Sequence, residues 1–146
     1  MPVITFEDYT VDNMSYKRNP KFDYKTEEME IGASFDVEIK ISDDDTAAIL
    51  IFDIGVGGLE SERSPFLAKA KVNGFFKYKP DNDEEGVGFQ KHMEVNSIAI
   101  LFPYVRSIIA DLTSRSNEFP TCILPTMNVV KTLEESGSIR IVREHN

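Results

Sequence analysis

The chain has no tryptophan, one cysteine and two histidines in 146 residues. A single thiol cannot staple a chain to itself, so Cys122 is read as a small buried hydrophobe in a reducing, cytoplasmic setting. His92 and His145 lie far apart and neither has metal-ligand spacing, so no metal and no cofactor is expected. Gly55-Val56-Gly57-Gly58 lacks the following Lys-Ser/Thr and the helix start of a phosphate cradle, and is read as a strand end. Neither Gly-x-Ser-x-Gly nor Cys-x-x-Cys occurs, and no constellation supports an enzyme. The start MPVITFEDYT lacks the basic and apolar regions of a signal peptide, which leaves the sequon Asn13-Met14-Ser15 without a use. No apolar run reaches the roughly 18 residues of a membrane span, so membrane insertion is not expected. Basic residues are scarce. Sixteen Lys and Arg face 25 Asp and Glu, a net charge of −9, and nucleic acid needs a basic footprint. The acids cluster at Glu27-Glu28-Met29-Glu30, Asp43-Asp44-Asp45 and Asp81-Asn82-Asp83-Glu84-Glu85, which read as solvated connections.

What is present is alternation. The hydrophobic share of 41% suits a globular domain with its own core, and one domain over 1–146 is expected. From Met29 to Ile41 the residues Met29, Ile31, Ala33, Phe35, Val37, Ile39 and Ile41 share one face, the period of a half-buried strand. Ala47 to Val56 is nearly continuous apolar sequence, a central strand. Phe66 to Lys79 alternates again. Phe66, Ala68, Ala70, Val72, Phe76 and Tyr78 point one way, and Leu67, Lys69, Lys71, Asn73, Phe75, Lys77 and Lys79 the other. Gly74 marks a bulge or a close backbone approach. In the first strand the pairs Ile4/Phe6, Tyr9/Val11 and Met14/Tyr16 are each out of phase with the next, which suggests bulges. Arg18 to Lys25 is a loop.

Then the period changes. Ile98, Leu101, Phe102, Val105, Ile108, Ile109 and Leu112 recur at spacings of three and four, a helix stripe. Pro103 removes a donor and crowds the Ala99 carbonyl, so a bend or a helix start is expected near it. The helix should stop at Ser114 to Asn117. Pro120 and Pro125 bracket a short apolar strip before a second, short helix from Met127 that Gly137 ends. Ile139, Ile141 and Val142 suit a small strand or a docking tail. Strands segregated from helices give an α+β fold: a four-stranded antiparallel sheet (1–80, with a crossover loop at 18–29), two helices packed on one face (86–135) and a tail (136–146).

The run Ile100-Leu101-Phe102-Pro103-Tyr104, then Arg106, Ser114-Arg115, Phe119-Pro120, Leu124-Pro125 and Asn128, resembles the SecB family of export chaperones. The resemblance is dense from Asn96 to Val129 and thin elsewhere. It implies the same α+β plan, a homotetramer built as a dimer of dimers, a mobile C-terminus, and an ATP-independent holdase that binds unfolded or precursor polypeptides in protein transport. The family's client grooves lie between the sheet, the crossover loop and the second helix. Candidate client-binding residues are Phe22, Tyr24, Phe66, Phe75, Phe76 and Tyr78, with Phe119 nearby, because aromatic walls bind extended segments with little side-chain specificity. Phe66, Phe76 and Tyr78 read equally as plain core. Leu101, Phe102, Val105, Ile108, Ile109 and Leu112 are the core and oligomer residues of the helix.

One departure from the export pattern concerns the exposed sheet face, which is acidic where the family docks the SecA motor. Here that face carries Leu67, Lys69, Lys71, Lys77 and Lys79, unless Glu30, Asp36 and Glu38 on the neighbouring strand neutralise them. SecA docking is therefore at odds with this face. A SecB-like protein dedicated to one partner, such as a toxin–antitoxin-associated chaperone, is the alternative.

Overall fold

The computed structural model describes residues 2–124 and 129–144. Pro125, Met127, Asn128 and His145 lie outside them. Five strands form one sheet: β1 (Ile4–Arg18), β2 (Ala33–Ile41), β3 (Ala47–Gly57), β4 (Phe66–Tyr78) and β5 (Ile139–Arg143), in the order β1-β4-β3-β2-β5. The first four pair antiparallel, as their alternation predicts. β5 pairs with β2 in parallel, so the sheet is mixed and five-stranded rather than four-stranded and antiparallel. Ile139, Ile141 and Val142 do form a small strand, but five residues do not show which strand they join, and the partner is distant: Arg140 meets Asp36 across 104 residues, at 3.0 Å. Pairing is driven by the β2 edge, where the Val37 N–H donates to the Ser138 carbonyl and the Glu144 N–H to the Ile41 carbonyl, both at 3.0 Å.

In β4 the apolar positions fall where the period puts them, and β3, whose nearly continuous apolar sequence named no face, alternates as well. Leu50, Phe52, Ile54 and Val56 of β3 and Phe66, Ala68, Ala70, Val72 and Phe76 of β4 are buried on one face. Each fully buried large side chain among them contributes about 1.5–3 kcal/mol. The β1 register breaks between Phe6 and Asp8 and between Val11 and Asn13, at the two phase slips of its pattern. β2 begins only at Ala33, so Met29 and Ile31 carry the strand's alternation without a place in the sheet.

A helix of 26 residues, α1 (Phe89–Ser114), lies across β1, β4 and β3. It starts well before Pro103 and runs through it, with a π-wound turn at Met93–Ser97. Pro103 and Ala99 are both exposed, so water can serve the carbonyl that the proline leaves without a donor. The helix is long and apolar enough by composition to cross a membrane. Its stripe is instead spent on the sheet: Ile98, Leu101, Phe102, Val105 and Ile109 are buried, and Ile108 and Leu112 are half-buried against the core. At Gly74 a Cβ would sit 3.2 and 3.3 Å from the Leu101 methyls and 3.0 Å from Phe76, so this glycine is the close approach that seats the helix, and the β4 ladder is unbroken there. A short helix, α2 (Val129–Ser136), packs against α1 and β2 and ends at Gly137, whose φ is +66°.

On the outer face, β4 lies between β1 and β3, not beside β2. Glu30, Asp36 and Glu38 therefore do not flank its lysines. Lys71 faces Asp53 and Asn13, and Lys69 faces Gly55 and Ser15. Asp36 pairs with Arg140 instead. Leu67 and Phe75 are half-buried on this face, and Lys79 lies past the strand end. β1 is the other edge strand, and its exposed Tyr9 lies 4.8 Å from the Tyr104 ring of α1.

Candidate functional site

The crossover between β1 and β2 is held from below by one buried amide. Asn19 donates both side-chain N–H groups to the carbonyls of Ser61 (2.8 Å) and Ser64 (2.7 Å), and its Oδ1 accepts the Lys21 N–H at 3.0 Å. The Asp23 N–H then bonds to the Glu62 carbonyl at 2.8 Å and the Glu30 N–H to the Arg63 carbonyl at 2.9 Å. Asn19 and these backbone bonds tie the crossover to the β3–β4 loop. It forms one wall of a cleft.

The opposite wall is the extended chain after α1. Thr113, fully buried in the last turn, reaches back to the Ile109 carbonyl at 2.9 Å and accepts the Cys122 N–H at 2.8 Å. Asn117 turns the chain at φ +54°, one of the two non-glycine residues with positive φ among those described. Phe119 then packs on Phe66 and, edge-on at 5.6 Å, on Phe22. Between the walls lies a cleft of about 320 Å³ lined by Met29, Ile31, Val56, Phe119, Pro120, Thr121, Cys122, Ile123 and Leu124. Its rim is unusually apolar for a surface: Ile123 is 73% exposed, Met29 47% and Ile31 39%. Burial pushes the Cys122 thiol up, so it serves as neutral lining and not as a nucleophile.

At one end the walls are latched. Tyr24 donates to Glu118 at 2.7 Å, Arg18 pairs with the same carboxylate at 2.8 Å, and Arg18 also bonds the Tyr24 hydroxyl. The Glu118 bond holds the Tyr24 phenol above its ordinary range. The contacts are exposed and screened by solvent, so the closure is weak and opens easily.

The six aromatic candidates are dispersed. Phe22 and Tyr24 pack edge-on at 5.0 Å beside Phe119 at the cleft. Phe66 supports them from the core with no exposure of its own. Phe76 is core, its ring tilted against Phe6 at 5.3 Å. Tyr78 lies roughly 40 Å further along β4, where it stacks on Phe89 and donates to Asp83 at 2.8 Å. There the Asp83 carboxylate also accepts the Gly88 and Val87 N–H groups and meets His92 at 3.4 Å. The Gly88 N–H first, then the Tyr78 hydroxyl and the Val87 N–H, hold it at about 2. His92 is thus tied into a loop-to-helix junction rather than lying open on a helix surface. Phe75 is on the outer face. Sequence reasoning missed Met29 and Ile31, whose alternation read as strand, and Ile123, whose only signal was an apolar strip between prolines.

No protein-family model matches the chain. It is 30% identical over 145 residues to the uncharacterized protein MJ0357 of Methanocaldococcus jannaschii, an alignment that covers 98% of this chain and 88% of that one. Among solved structures it is similar to the Mycobacterium tuberculosis SecB-like chaperone Rv1957, in complex with a ChAD peptide from the Rv1956 HigA1 antitoxin. The TM-score is 0.66 at 14% identity, over 85% of this chain and 90% of that chain. The chain belongs to one family with the M. jannaschii protein and is built on the SecB-like fold.

Proposed function

We propose that the protein is an ATP-independent holdase that binds extended apolar segments of unfolded polypeptides in the cleft between the crossover and the chain after α1. The observation that carries the reading is the rim itself. Met29, Ile31 and Ile123 stand exposed on two walls that hydrogen bonds hold in place, so apolar surface is presented rather than merely left over. Burial of apolar area is non-directional, which suits clients of varied sequence. Phe22 and Tyr24 extend the cleft at its latched end. The similar Rv1957 structure, which holds an antitoxin peptide, is in keeping with a polypeptide client.

The β1 edge and the exposed α1 side chains beside it are the surface we assign to self-association. A 15-residue edge strand, paired with β4 on one side and with no strand on the other among the described residues, bears exposed Tyr9, Val11 and Met14 and invites pairing with another copy. A second reading, service to one dedicated partner instead of general export, is favoured by the outer face. Lys69 and Lys71 lie there beside Asp53, which Asp36 faces in turn, a mixed charge pattern that supports this reading over the strongly acidic face expected for SecA docking. The test of the main reading is aggregation of a slowly refolding protein with and without the purified chain, in the absence of nucleotide. Suppression at near-stoichiometric ratio is expected; undiminished aggregation would refute a holdase.

A further inference from the structure

We propose that the N-terminal half of β2, at Ala33 and Phe35, is a strand-addition site where a client segment lies as an extra strand in line with β5. The inference rests on the client reading above and says how such a segment is held.

β2 pairs with β3 along its whole length, from Ala33 opposite Val56 to Ile41 opposite Ala48. On its other edge β5 covers only Val37 to Ile41. Backbone groups in an antiparallel strand alternate between its two neighbours. The Val37 N–H and the Ile41 carbonyl both point to the β5 side. By that alternation the N–H and C=O groups of Ala33 and Phe35 point the same way. No hydrogen bond to them from that side is found among the described residues, because the Ser138 N–H, the next donor in line, is spent on the Leu133 carbonyl. Gly32, Ala33 and Ser34 are exposed, so the edge is open.

Open donors and acceptors at strand spacing match only another extended backbone. The chain itself shows that this edge accepts a parallel strand, since β5 occupies its other half. The edge also runs into the cleft. Ile31 of the rim lies two residues before Ala33, and Val56 of the cleft lining is the ladder partner of Ala33. A client strand of about four residues spans the gap from Ala33 to Asp36. Its side chains on the helix side enter the apolar lining, and its backbone bonds are indifferent to sequence. Hydrophobic burial then supplies affinity, and the edge supplies alignment.

The test is amide hydrogen exchange, read by NMR, on the full chain with a synthetic ten-residue peptide of alternating isoleucine and serine, with a lysine at each end. Binding with at least tenfold slower exchange at Ala33 and Phe35 is expected, and the same peptide N-methylated at alternate residues should bind at least tenfold more weakly. Binding without added protection at those amides would overturn the strand addition and leave the cleft reading standing. No binding at all would overturn both. Protection already present without peptide and rising with protein concentration would assign the edge to a second copy and overturn the proposal. Ala33→Pro gives an independent reading. It removes an edge-facing N–H at the first strand residue, where proline is tolerated. An unchanged fold by circular dichroism with a tenfold weaker peptide affinity is expected, and unchanged affinity would contradict it.

Discussion

Replacing Asn19 by alanine tests the link between the buried clamp and the cleft. The residue is 1% exposed, and its side chain makes three hydrogen bonds: two donated to the carbonyls of Ser61 and Ser64, one accepted from the Lys21 N–H. Each bond has a net worth of about 0.5–1.5 kcal/mol, and the abandoned carbonyls have little water to turn to, so the loss should be about 2–4 kcal/mol. For a protein of this size that lowers the melting temperature by roughly 5–15 °C. Asn19→Asp should be worse at neutral pH, because a carboxylate would face two carbonyl oxygens, and partly relieved in acid, where the protonated form can donate one bond. Thermal and urea unfolding of both variants measure this. The crossover wall should also loosen, so affinity for an unfolded peptide should fall even below the new melting point. An Asn19→Ala protein within about 0.5 kcal/mol of the parent, or an Asn19→Asp protein indifferent to pH, would refute the clamp.

Three further outcomes are expected. Gly74→Val should destabilise by about 1–3 kcal/mol through overpacking against Leu101 and Phe76, with partial relief from Leu101→Ala; unchanged urea midpoints would mean that the helix is not seated there. Asp83→Asn should be less stable than the parent at neutral pH. The folded-state carboxyl is depressed to about 2 from 3.8, so its contribution is present above roughly pH 4 and lost as pH falls through 2. The gap between parent and variant should therefore be flat above pH 5 and close in acid, and a gap that widens in acid would contradict the assignment. Finally, titration with SecA from the same organism at low and moderate salt should show weak or no binding. Tight, salt-sensitive binding that survives Lys69→Glu and Lys71→Glu would place docking on another surface.

Much of the fold was legible because the core strands obey local rules. β4 buries every second residue, so period alone fixes its face, the apolar run of β3 marks it as central, and the two phase slips of β1 mark the two breaks in its register. What was hidden depends on non-local pairing. The tail was legible as a small strand or a docking tail, but its place in the sheet, parallel to β2, depends on a partner 104 residues upstream. The same logic hid the cleft. Met29 and Ile31 alternate like strand residues, and nothing local says that β3 has ended opposite them, at Gly57, whose φ of +84° turns the chain away. Asn19 gave no signal, since an Asn-Pro pair reads as a turn and only the folded loop at Ser61 to Pro65 makes it a clamp. The aromatics at Phe22 and Tyr24 stood out as loop residues with no core to fill, and they do lie beside the cleft.

The most direct measurement of the central claim is the affinity of a fluorescently labelled, permanently unfolded polypeptide for the parent and for an Ile31→Ser/Ile123→Ser double variant. Both side chains are exposed, so the double variant should keep the parent's melting temperature to within a few degrees. Burying each of them against a client contributes about 1–2 kcal/mol, so the affinity should fall by roughly thirtyfold to nearly a thousandfold. A folded double variant that binds the unfolded polypeptide as tightly as the parent would contradict the account, because the cleft would then not be where clients are held.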